Sequence, residues 1–227
     1  MIDGLISVVV PVHKIQKNFS KVRQRIHTAK TPIEIIYVIN EKIKDDLLTT
    51  TSIEQKTRIP NRGRGYMFGE GASKAKGEII IFLHSDTILP VDWDIIIRRA
   101  MQNKKIIGGG FSLQFDIDSL YLTLMLKIVT ILVPLTKVLS GDRAVFVRLQ
   151  PLQKDLSFLE IPIMEDAKLS YWMKKNGKSI LLKESVVTSA DAFVKNGFLH
   201  QTWKIIKCSL WYKLGKDLQK IYNYYYS

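Results

Sequence analysis

Residues 79–87 have the sequence IIIFLHSDT, in which a run of apolar residues leads directly into polar ones. An apolar run of this kind, rich in β-branched residues, is typical of a strand buried on both faces of a parallel sheet. The polar residues that follow, including Asp86, are then delivered to the carboxyl edge of the sheet. Ligands bind at this edge in open α/β sheets, so residues 84–87 mark a candidate functional site.

Two earlier segments extend the same pattern. Residues 5–12 and 33–39 are further β-branched runs and predict two more buried strands. Between them, residues 15–29 have apolar positions at helical spacing, and residues 63–75 form a glycine-rich segment that becomes helical. This alternation predicts an α/β fold with a doubly wound, mostly parallel sheet and right-handed crossovers.

All three predicted strands end in polar residues. The ends are residues 11–13, 39–41 and 84–86, and in a parallel sheet they lie along one edge. A carboxylate at that edge suits a divalent metal bound to a diphosphate, because Mg²⁺ and Mn²⁺ bind oxygen ligands and often need only one or two protein carboxylates. The alternative is that Asp86 only caps the turn that follows it.

The remaining predicted elements are less regular. Strands are expected over residues 106–115, 143–147, 179–182 and 185–189, and helices over residues 45–51, 119–139, 165–175 and 198–214. The aromatic tail, residues 222–226, is too short to classify. Because no repeat or linker interrupts the chain, a single domain over residues 1–227 is expected.

The composition restricts the class of protein. The chain has 227 residues, of which 46% are hydrophobic and 24% are charged, which suits one ordered α/β domain. Its one cysteine, Cys208, excludes an intrachain disulfide and a Cys/His zinc framework; we expect it to be a small buried hydrophobe in a reducing, cytoplasmic protein. The apolar stretch over residues 120–139 contains Lys127, Pro134 and Lys137, so it does not predict a transmembrane helix.

The net charge of +13 predicts an anionic partner. Nucleic acid, anionic lipid and a phosphorylated substrate all satisfy this requirement. The sequence carries no RNA-recognition, helix-turn-helix or zinc signature, which disfavours nucleic acid. A non-catalytic basic domain that binds nucleic acid or a membrane is kept as an alternative.

Several blocks of the sequence resemble, in order, those of family 2 glycosyltransferases. They span nearly the whole chain: VVVPV (8–12), GRG (63–65), FLHSDT (82–87), GGF (109–111), GDRAVFV (141–147), IPIMED (161–166) and VTSA (187–190). The resemblance is to the small bacterial and archaeal branch whose acidic motif reads His-small-Asp. It implies the GT-A fold, a nucleotide-diphosphate sugar donor, a divalent metal (Mg²⁺ or Mn²⁺), and inverting transfer of the sugar to an acceptor hydroxyl.

The resemblance also implies how the chain is divided. Residues 1–90 correspond to a Rossmann-like nucleotide-sugar-binding half, residues 91–197 to an acceptor-binding and catalytic half, and residues 198–227 to a basic amphipathic helix with its tail. The Gln-x-x-Arg-Trp signature of processive members is absent, and residues 191–193 stand near its place. A single addition is therefore expected rather than polymer synthesis.

On the donor side, Asp86 matches the family aspartate that binds the metal and the diphosphate. His84 stands where many relatives have the first acid of an Asp-x-Asp motif, and an imidazole can bind a metal or a phosphate or simply pack at a strand end. Arg62 and Arg64 precede a helix start, which suits phosphate, although a solvated basic loop is the alternative. Pro11, Val12 and Asn40, at the ends of two predicted strands, are expected to contact the nucleotide.

On the acceptor side, the second acid of the Glu165-Asp166 pair matches the family's catalytic base, with Glu165 as its neighbour and second candidate. Acids at a first helical turn are also common simply as partners of the helix dipole. Gly141 and Asp142 stand where the family faces the acceptor, so Asp142 is a candidate to hold an acceptor hydroxyl. Its alternative is a turn with an Asx motif.

Two of the predicted strand ends depart from the family pattern. His13-Lys14 stands where Asn-Glu is usual, and Asn40-Glu41 stands where relatives have an aspartate that reads the base and ribose. These departures leave the nucleotide preference open and keep an inactive relative as an alternative. A nucleotidyltransferase is disfavoured, because its glycine-rich basic loop directly after the first strand is missing here.

Residues 198–214 combine apolar and basic side chains. The apolar ones form a stripe at helical spacing, namely Leu199, Trp203, Ile206, Leu210 and Leu214; three lysines accompany it, namely Lys204, Lys207 and Lys213. One interpretation is an interfacial helix that docks on an anionic membrane near a lipid-linked acceptor, which would make the protein peripheral on the membrane. The other is an ordinary amphipathic helix that covers the core.

Overall fold

The structure is a computed structural model that describes residues 4–43, 50–136 and 138–227. The strands are β1 (Ile6–Val12), β2 (Ile33–Asn40), β3 (Glu54–Ile59), β4 (Ile79–Phe82), β5 (Ile106–Phe115), β6 (Val145–Arg148) and β7 (Lys178–Thr188). The helices are α1 (Phe19–Ile26), α2 (Arg64–Lys74), α3 (Trp93–Met101), α4 (Leu120–Thr136), α5 (Leu149–Gln153), α6 (Glu165–Asn176), α7 (Asp191–Asn196), α8 (Phe198–Lys213) and α9 (Leu218–Tyr226). The helix predicted over residues 45–51 lies almost entirely outside the described residues.

The described strands form one seven-stranded sheet in the order β3-β2-β1-β4-β6-β5-β7. The β1–β2, β2–β3, β1–β4 and β5–β7 pairs are parallel, whereas β6 runs antiparallel to both of its neighbours, β4 and β5. The predicted α/β fold with a mostly parallel, doubly wound sheet is therefore confirmed.

Helices cover both faces of the sheet, which explains why β1 is a continuous apolar run. Every residue of β1 is buried. Val8 and Val10 pack in the same core cluster as residues of α1 and α3, whereas Val9 packs in a second cluster with residues of α2, α5 and α6. Alternate residues of one strand thus enter two cores, and a polar residue on either face would be buried.

Several predicted boundaries were wrong. The helix expected from residue 15 begins at Phe19, and the two strands expected over 179–182 and 185–189 are one strand, β7, with irregular pairing to β5. The strand expected from Arg143 begins at Val145, because residues 141–143 form a 3-10 turn. Five elements were not predicted at all: β3, α3, α5, α7 and α9.

The carboxyl-terminal helix α8 forms nearly where predicted, but with a different face inward. Its buried residues are Gln201, Lys204 and Cys208, whereas the apolar stripe of Leu199, Trp203, Ile206, Leu210 and Leu214 is exposed. The interpretation in which this stripe covers the core is therefore wrong. Cys208 is buried, as predicted. None of the helices in the described residues has the length and apolar composition needed to cross a membrane.

Candidate active site

Segments that are distant in sequence meet at the carboxyl edge of the sheet. They are the end of β1, the start of α2, the residues after β4, the turn at 141–143 and the start of α6. The contacts that join them are His84 to Asp142, Arg64 to Glu165, and Gly141 to Asp166. Two donor-side candidates, Arg64 and His84, are therefore joined to the acceptor-side candidates in one cluster.

The first contact joins the end of β4 to the turn at 141–143. His84 is 7% exposed, and its Nδ1 lies 2.7 Å from Oδ1 of Asp142. Burial alone would lower the pKa of His84, but the hydrogen bond and negative charge of Asp142 outweigh it and raise that pKa. Burial would likewise raise the pKa of Asp142, but His84 lowers it. The two opposite shifts favour the charged form of the pair. The Asp142 side chain remains 45% exposed to solvent.

Position 141 requires glycine because the imidazole of His84 lies too close for a side chain. A Cβ at this position would lie 2.9 Å from Nε2 of His84, which is closer than real Cβ contacts. The other imidazole nitrogen, Nδ1, is taken by Asp142. With both nitrogens enclosed, His84 orients the 141–143 turn, and this geometry does not favour the metal-binding role that the sequence left open for it.

The second contact depends on the Gly-Arg-Gly segment. Gly63 has φ +114°, and a Cβ there would lie 2.2 Å from the carbonyl oxygen of Pro162; one at Gly65 would lie 2.3 Å from that of Ile161. Only glycine lets the two backbones approach this closely. The approach brings Nε of Arg64 to 3.0 Å from Oε1 of Glu165.

This ion pair lacks hydrogen-bond geometry. Within the described residues, Nε of Arg64 and both carboxylate oxygens of Glu165 are buried without a hydrogen bond to another residue. Burial raises the pKa of Glu165, and although Arg64 opposes that shift, the neighbouring charge of Asp166 adds to it. Glu165 is only 2% exposed, so an acceptor molecule has little access to its carboxylate.

Asp166 is placed differently from its neighbour. Its Oδ2 accepts a hydrogen bond from the backbone N–H of Gly141 at 3.1 Å, and its Oδ1 accepts one from Ala167 at 2.7 Å. The residue is half-buried rather than enclosed. Of the two predicted acids, Asp166 is therefore the one that faces the 141–143 turn and retains access to solvent.

Left-handed backbone flanks these acids. Ala144 has φ +48° directly after the 141–143 turn, and Met164 has φ +69° directly before α6. Non-glycine residues rarely adopt such angles, and each costs about 1–3 kcal/mol. These conformations turn the chain immediately beside Asp142 and Glu165, which is typical of the way backbone strain clusters at functional sites.

Asp86 is one of the residues that line a small cleft of about 90 Å³. The other lining residues come from the β1–α1 loop and the ends of β5 and β7: Gln16, Lys17, Asn18, Asp116, Ser189 and Asp191. Burial raises the pKa of Asp86; the charge of His84 opposes this shift, and that of Asp142 adds to it.

The residues around Asp86 fit a divalent metal only if the substrate supplies further ligands. Among the described residues, no group of three or more His, Cys, Asp or Glu side chains is arranged to hold a metal ion. One carboxylate is nevertheless a usual protein contribution to a Mg²⁺ site whose other ligands are phosphate oxygens and water. Asp86 is consistent with that kind of site.

The remaining donor-side candidates lie at the same edge but outside the ionic cluster. Pro11 and Val12 are buried within β1. Val12 of β1 pairs with Ile39 of β2, and Asn40 is the next residue along β2. Asn40 is buried, and it accepts a hydrogen bond from the backbone N–H of Lys42 at 3.1 Å. Arg62 is exposed and stacks over the ring of Tyr66, with 4.3 Å between guanidinium carbon and ring centroid.

Two members of the cluster were missed by sequence reasoning. His13 was placed at a polar strand end and noted as a departure from a family pattern, but it was not selected as a site residue. Burial, assisted by the positive charges of Arg64 and His84, lowers the pKa of His13 from 6.5 to about 4, and its Nε2 is buried without a partner among the described residues. Burial raises the pKa of Tyr225 to about 12, and the charges of Arg64 and Asp142 also act on it, which places the last turn of α9 beside the cluster.

No protein-family model matches the chain, and no curated protein matches its sequence. Solved structures do match. The mannosyltransferase PcManGT from Pyrobaculum calidifontis, in complex with GDP-Man and Mn²⁺, superposes with a TM-score of 0.65 at 13% identity, over 89% of this chain and 60% of that one. S. aureus TarS 1-349 in complex with UDP-GlcNAc superposes with a TM-score of 0.58 at 15% identity, over 81% of this chain and 58% of that one.

A further S. aureus TarS structure has a TM-score of 0.60 at 12% identity, over 88% of this chain and 39% of that one. The chain thus spans about two fifths to three fifths of the length of these solved chains. At such low identity the likeness concerns the fold rather than the chemistry. The fold of this chain is that of the GT-A glycosyltransferases.

Proposed function

We propose that this chain is a family 2 glycosyltransferase that moves one sugar from a nucleotide-diphosphate sugar to an acceptor hydroxyl. The observation that carries the proposal is the single cluster at the carboxyl edge of a GT-A fold, in which nitrogens suited to phosphate meet two acids at a helix start. Structural neighbours were solved with GDP-Man and Mn²⁺ and with UDP-GlcNAc. A donor of the same chemical class is proposed here.

Unpaired nitrogens support an anionic ligand. Nε2 of His13 and Nε of Arg64 are buried without hydrogen-bond partners in the described part of the chain. Buried polar atoms are normally paired, so two unpaired nitrogens at one edge are consistent with a site that a ligand completes. A diphosphate has the charge and the acceptor oxygens to do so, and Arg62 would extend the positive charge toward solvent.

Asp86 is assigned to the metal and the diphosphate. A divalent ion bound there would neutralise the negative charge of the departing diphosphate. The carboxylate must be ionised to bind the ion; burial raises the pKa of Asp86 and so opposes ionisation, and the positive charge of a bound ion would offset that effect. Asn40, Pro11 and Val12 at the neighbouring strand ends are assigned to the nucleoside.

Asp166 is assigned as the catalytic base. As the acceptor oxygen forms its bond to the anomeric carbon, its proton passes to the Asp166 carboxylate. The bond from that carbon to the diphosphate oxygen breaks, and its electron pair leaves with the nucleoside diphosphate. This direct displacement inverts the anomeric centre. Accessibility supports Asp166 over Glu165, because Glu165 is enclosed and paired with Arg64.

Asp142 is assigned to the acceptor. Its side chain is 45% exposed, and His84 lowers its pKa, so it is an ionised acceptor of hydrogen bonds from a hydroxyl. Gly141 connects it to Asp166 through the backbone N–H. An acceptor hydroxyl bound at Asp142 would therefore lie close to the proposed base.

A thermal-shift panel of UDP-, GDP- and dTDP-sugars, each with and without Mn²⁺, tests the function. A ligand at a hundred times its dissociation constant stabilises the folded state by about 2.7 kcal/mol, so a true donor should raise the melting temperature, and more so with Mn²⁺. The donor that responds is then incubated with Mn²⁺, and release of nucleoside diphosphate is measured. The proposal fails if no nucleotide sugar of the panel shifts the melting temperature.

A further inference from the structure

Helices α4 and α8 expose an unusual number of large apolar side chains. On α4 they are Leu120, Leu124, Ile128 and Ile131; on α8 they are Leu199, Trp203, Ile206 and Leu210. Each of these eight is between 49% and 76% exposed, and on each helix they recur three or four residues apart, so they share one side. We call this set the α4–α8 face. Apolar surface of this extent marks an interaction site more often than a solvated surface.

The two helices are neighbours. The rings of Tyr121 on α4 and Phe198 on α8 stack with 5.7 Å between centroids, and the Tyr121 hydroxyl donates to Oγ1 of Thr202 at 2.9 Å. Leu122 and Phe193 are buried beneath this contact. Helices α4 and α8 therefore form one packed unit with its own small buried core. The exposed sides of the two helices are not needed to fill that core.

The charge on the two helices indicates which kind of partner the α4–α8 face would bind. Neither helix contains an Asp or Glu, whereas α4 carries Lys127 and α8 carries Lys207 and Lys213 outside its inward side, which contains Lys204. Lys127 and Lys213 are exposed. Two copies of such a face would repel each other, while a surface of anionic headgroups over an apolar interior complements both the lysines and the apolar side chains.

We propose that the α4–α8 face docks on an anionic lipid membrane, with its apolar side chains at the boundary between headgroups and acyl chains. Docking of this kind needs no membrane-crossing helix. The position of the α4–α8 face relative to the candidate active site has a further consequence, which rests on the proposed function. Arg143, which follows Asp142, donates to Oγ1 of Thr130 on α4 at 3.1 Å, so the face adjoins the acceptor side and suits a lipid-linked acceptor.

Vesicle co-sedimentation of the full chain without any nucleotide tests the docking separately from catalysis. One set of vesicles is phosphatidylcholine alone, and the other is equal parts phosphatidylcholine and phosphatidylglycerol. The face variant carries Leu124→Ser, Ile131→Ser, Trp203→Ser and Leu210→Ser. The control variant carries Val91→Ser and Ile53→Ser, which remove exposed apolar side chains outside the face. Circular dichroism and thermal melting verify that both variants are folded.

The wild type and the control variant should sediment with the anionic vesicles only, and the face variant should stay in the supernatant. Lys127→Ser should weaken binding about fivefold, which is about 1 kcal/mol for one basic residue near such a surface. Raising the salt to about 1 M, where the Debye length is roughly 3 Å, should weaken it further.

Three results would overturn the proposal. The first is a wild type that stays in the supernatant with anionic vesicles at low salt. The second is a face variant that binds as tightly as the control variant. The third is a concentration-dependent dimer in sedimentation equilibrium that the face variant abolishes while no vesicle binding is seen, which would make a second copy the partner. A positive vesicle result with no donor binding would leave the docking intact and remove the proposed function.

Discussion

Among the described residues, Glu54 and Glu165 are buried glutamates that each pair with an arginine, and their hydrogen bonding differs. Glu54, on β3, accepts hydrogen bonds from both Nε and Nη2 of Arg23 at 2.8 and 2.7 Å, and from His27, Tyr37 and the Thr51 backbone N–H at 2.8–3.0 Å. Glu165, at the start of α6, lies 3.0 Å from Arg64 but accepts no hydrogen bond from another of the described residues.

Their pKa values move in opposite directions. Burial alone would raise the pKa of Glu54, but the hydrogen bonds from Arg23, His27, Thr51 and Tyr37 lower it to about 2. Burial also raises the pKa of Glu165, and there no set of hydrogen bonds reverses the shift. A fully paired carboxylate stabilises the fold, whereas an incompletely paired one beside other unpaired groups indicates a site built for a ligand.

The largest expected effect is on turnover, at the acid next to Glu165. Asp166→Asn removes the proposed base, and turnover should fall by about a hundredfold or more while donor affinity changes little. Because both oxygens of Asp166 accept backbone N–H bonds, the amide loses one of them, so we also expect about 1 kcal/mol lower stability. Steady-state kinetics and urea unfolding measure the two effects separately.

Glu165→Gln is the matched control for this variant. If turnover survives in Asp166→Asn but collapses in Glu165→Gln, the assignment within the pair is wrong. If both variants turn over at the wild-type rate, the base lies elsewhere, and Asp142 is the next candidate.

The next effect is on stability and compares the two glutamates directly. Glu54→Gln breaks a buried, fully hydrogen-bonded ion pair and should lower the free energy of unfolding by about 3 kcal/mol. Glu165→Gln loses no hydrogen bond to another described residue and should cost about 1 kcal/mol or less. Urea unfolding midpoints at a common m value measure both changes. Equal losses would show that the two pairs are energetically alike and would end the distinction drawn between them.

A smaller effect is expected on ligand binding at Asp86. Asp86→Asn should weaken Mn²⁺-dependent nucleotide binding at least tenfold, about 1.4 kcal/mol, while leaving the melting temperature of the free protein nearly unchanged. Asp118→Asn, at an exposed aspartate outside the cluster, is the matched control. Calorimetry with and without Mn²⁺ gives the comparison. Unchanged affinity in the presence of Mn²⁺ would remove Asp86 from the site.

The sequence predicts the parts of the fold that are buried on both sides. Strands β1, β2 and β4 are continuous apolar runs because both of their faces enter a core. Strand β3 (EQKTRI) is an edge strand, half-exposed and mostly polar, so its pairing with β2 rather than its own composition makes it a strand. Helix α3 did carry a signal, since Trp93, Ile97 and Met101 are spaced four residues apart and fully buried.

Helix α8 shows a second limit. Periodicity predicted the helix and its apolar stripe, but a pattern on one helix does not say which side meets the rest of the protein. The side that packs inward contains Gln201, Lys204 and Cys208. The same limit applies to the site: His84 and Asp142 are 58 residues apart, so their contact follows from topology and not from local spacing.

The smallest effect, and the one most specific to the contrast between the two glutamates, is on the pH dependence of stability. The pKa of Glu54 falls from its ordinary value of 4.5, expected in the unfolded chain, to about 2 in the folded protein. A depressed folded pKa contributes stability that is fully present above about pH 4.5 and is lost progressively as the pH falls toward 2. Between pH 7 and pH 4 this one group should therefore cost the wild type about 1 kcal/mol of unfolding free energy, and Glu54→Gln, which cannot titrate, should lack that portion of the decline. Glu165 has a raised pKa, so Glu165→Gln should not reduce the loss of unfolding free energy at acidic pH in this way.

Urea unfolding of the three proteins at a series of pH values measures how the free energy of unfolding depends on pH. Parallel curves for the wild type and Glu54→Gln would mean that the hydrogen bonds around Glu54 do not hold it ionised, and that the contrast with Glu165 is one of geometry alone.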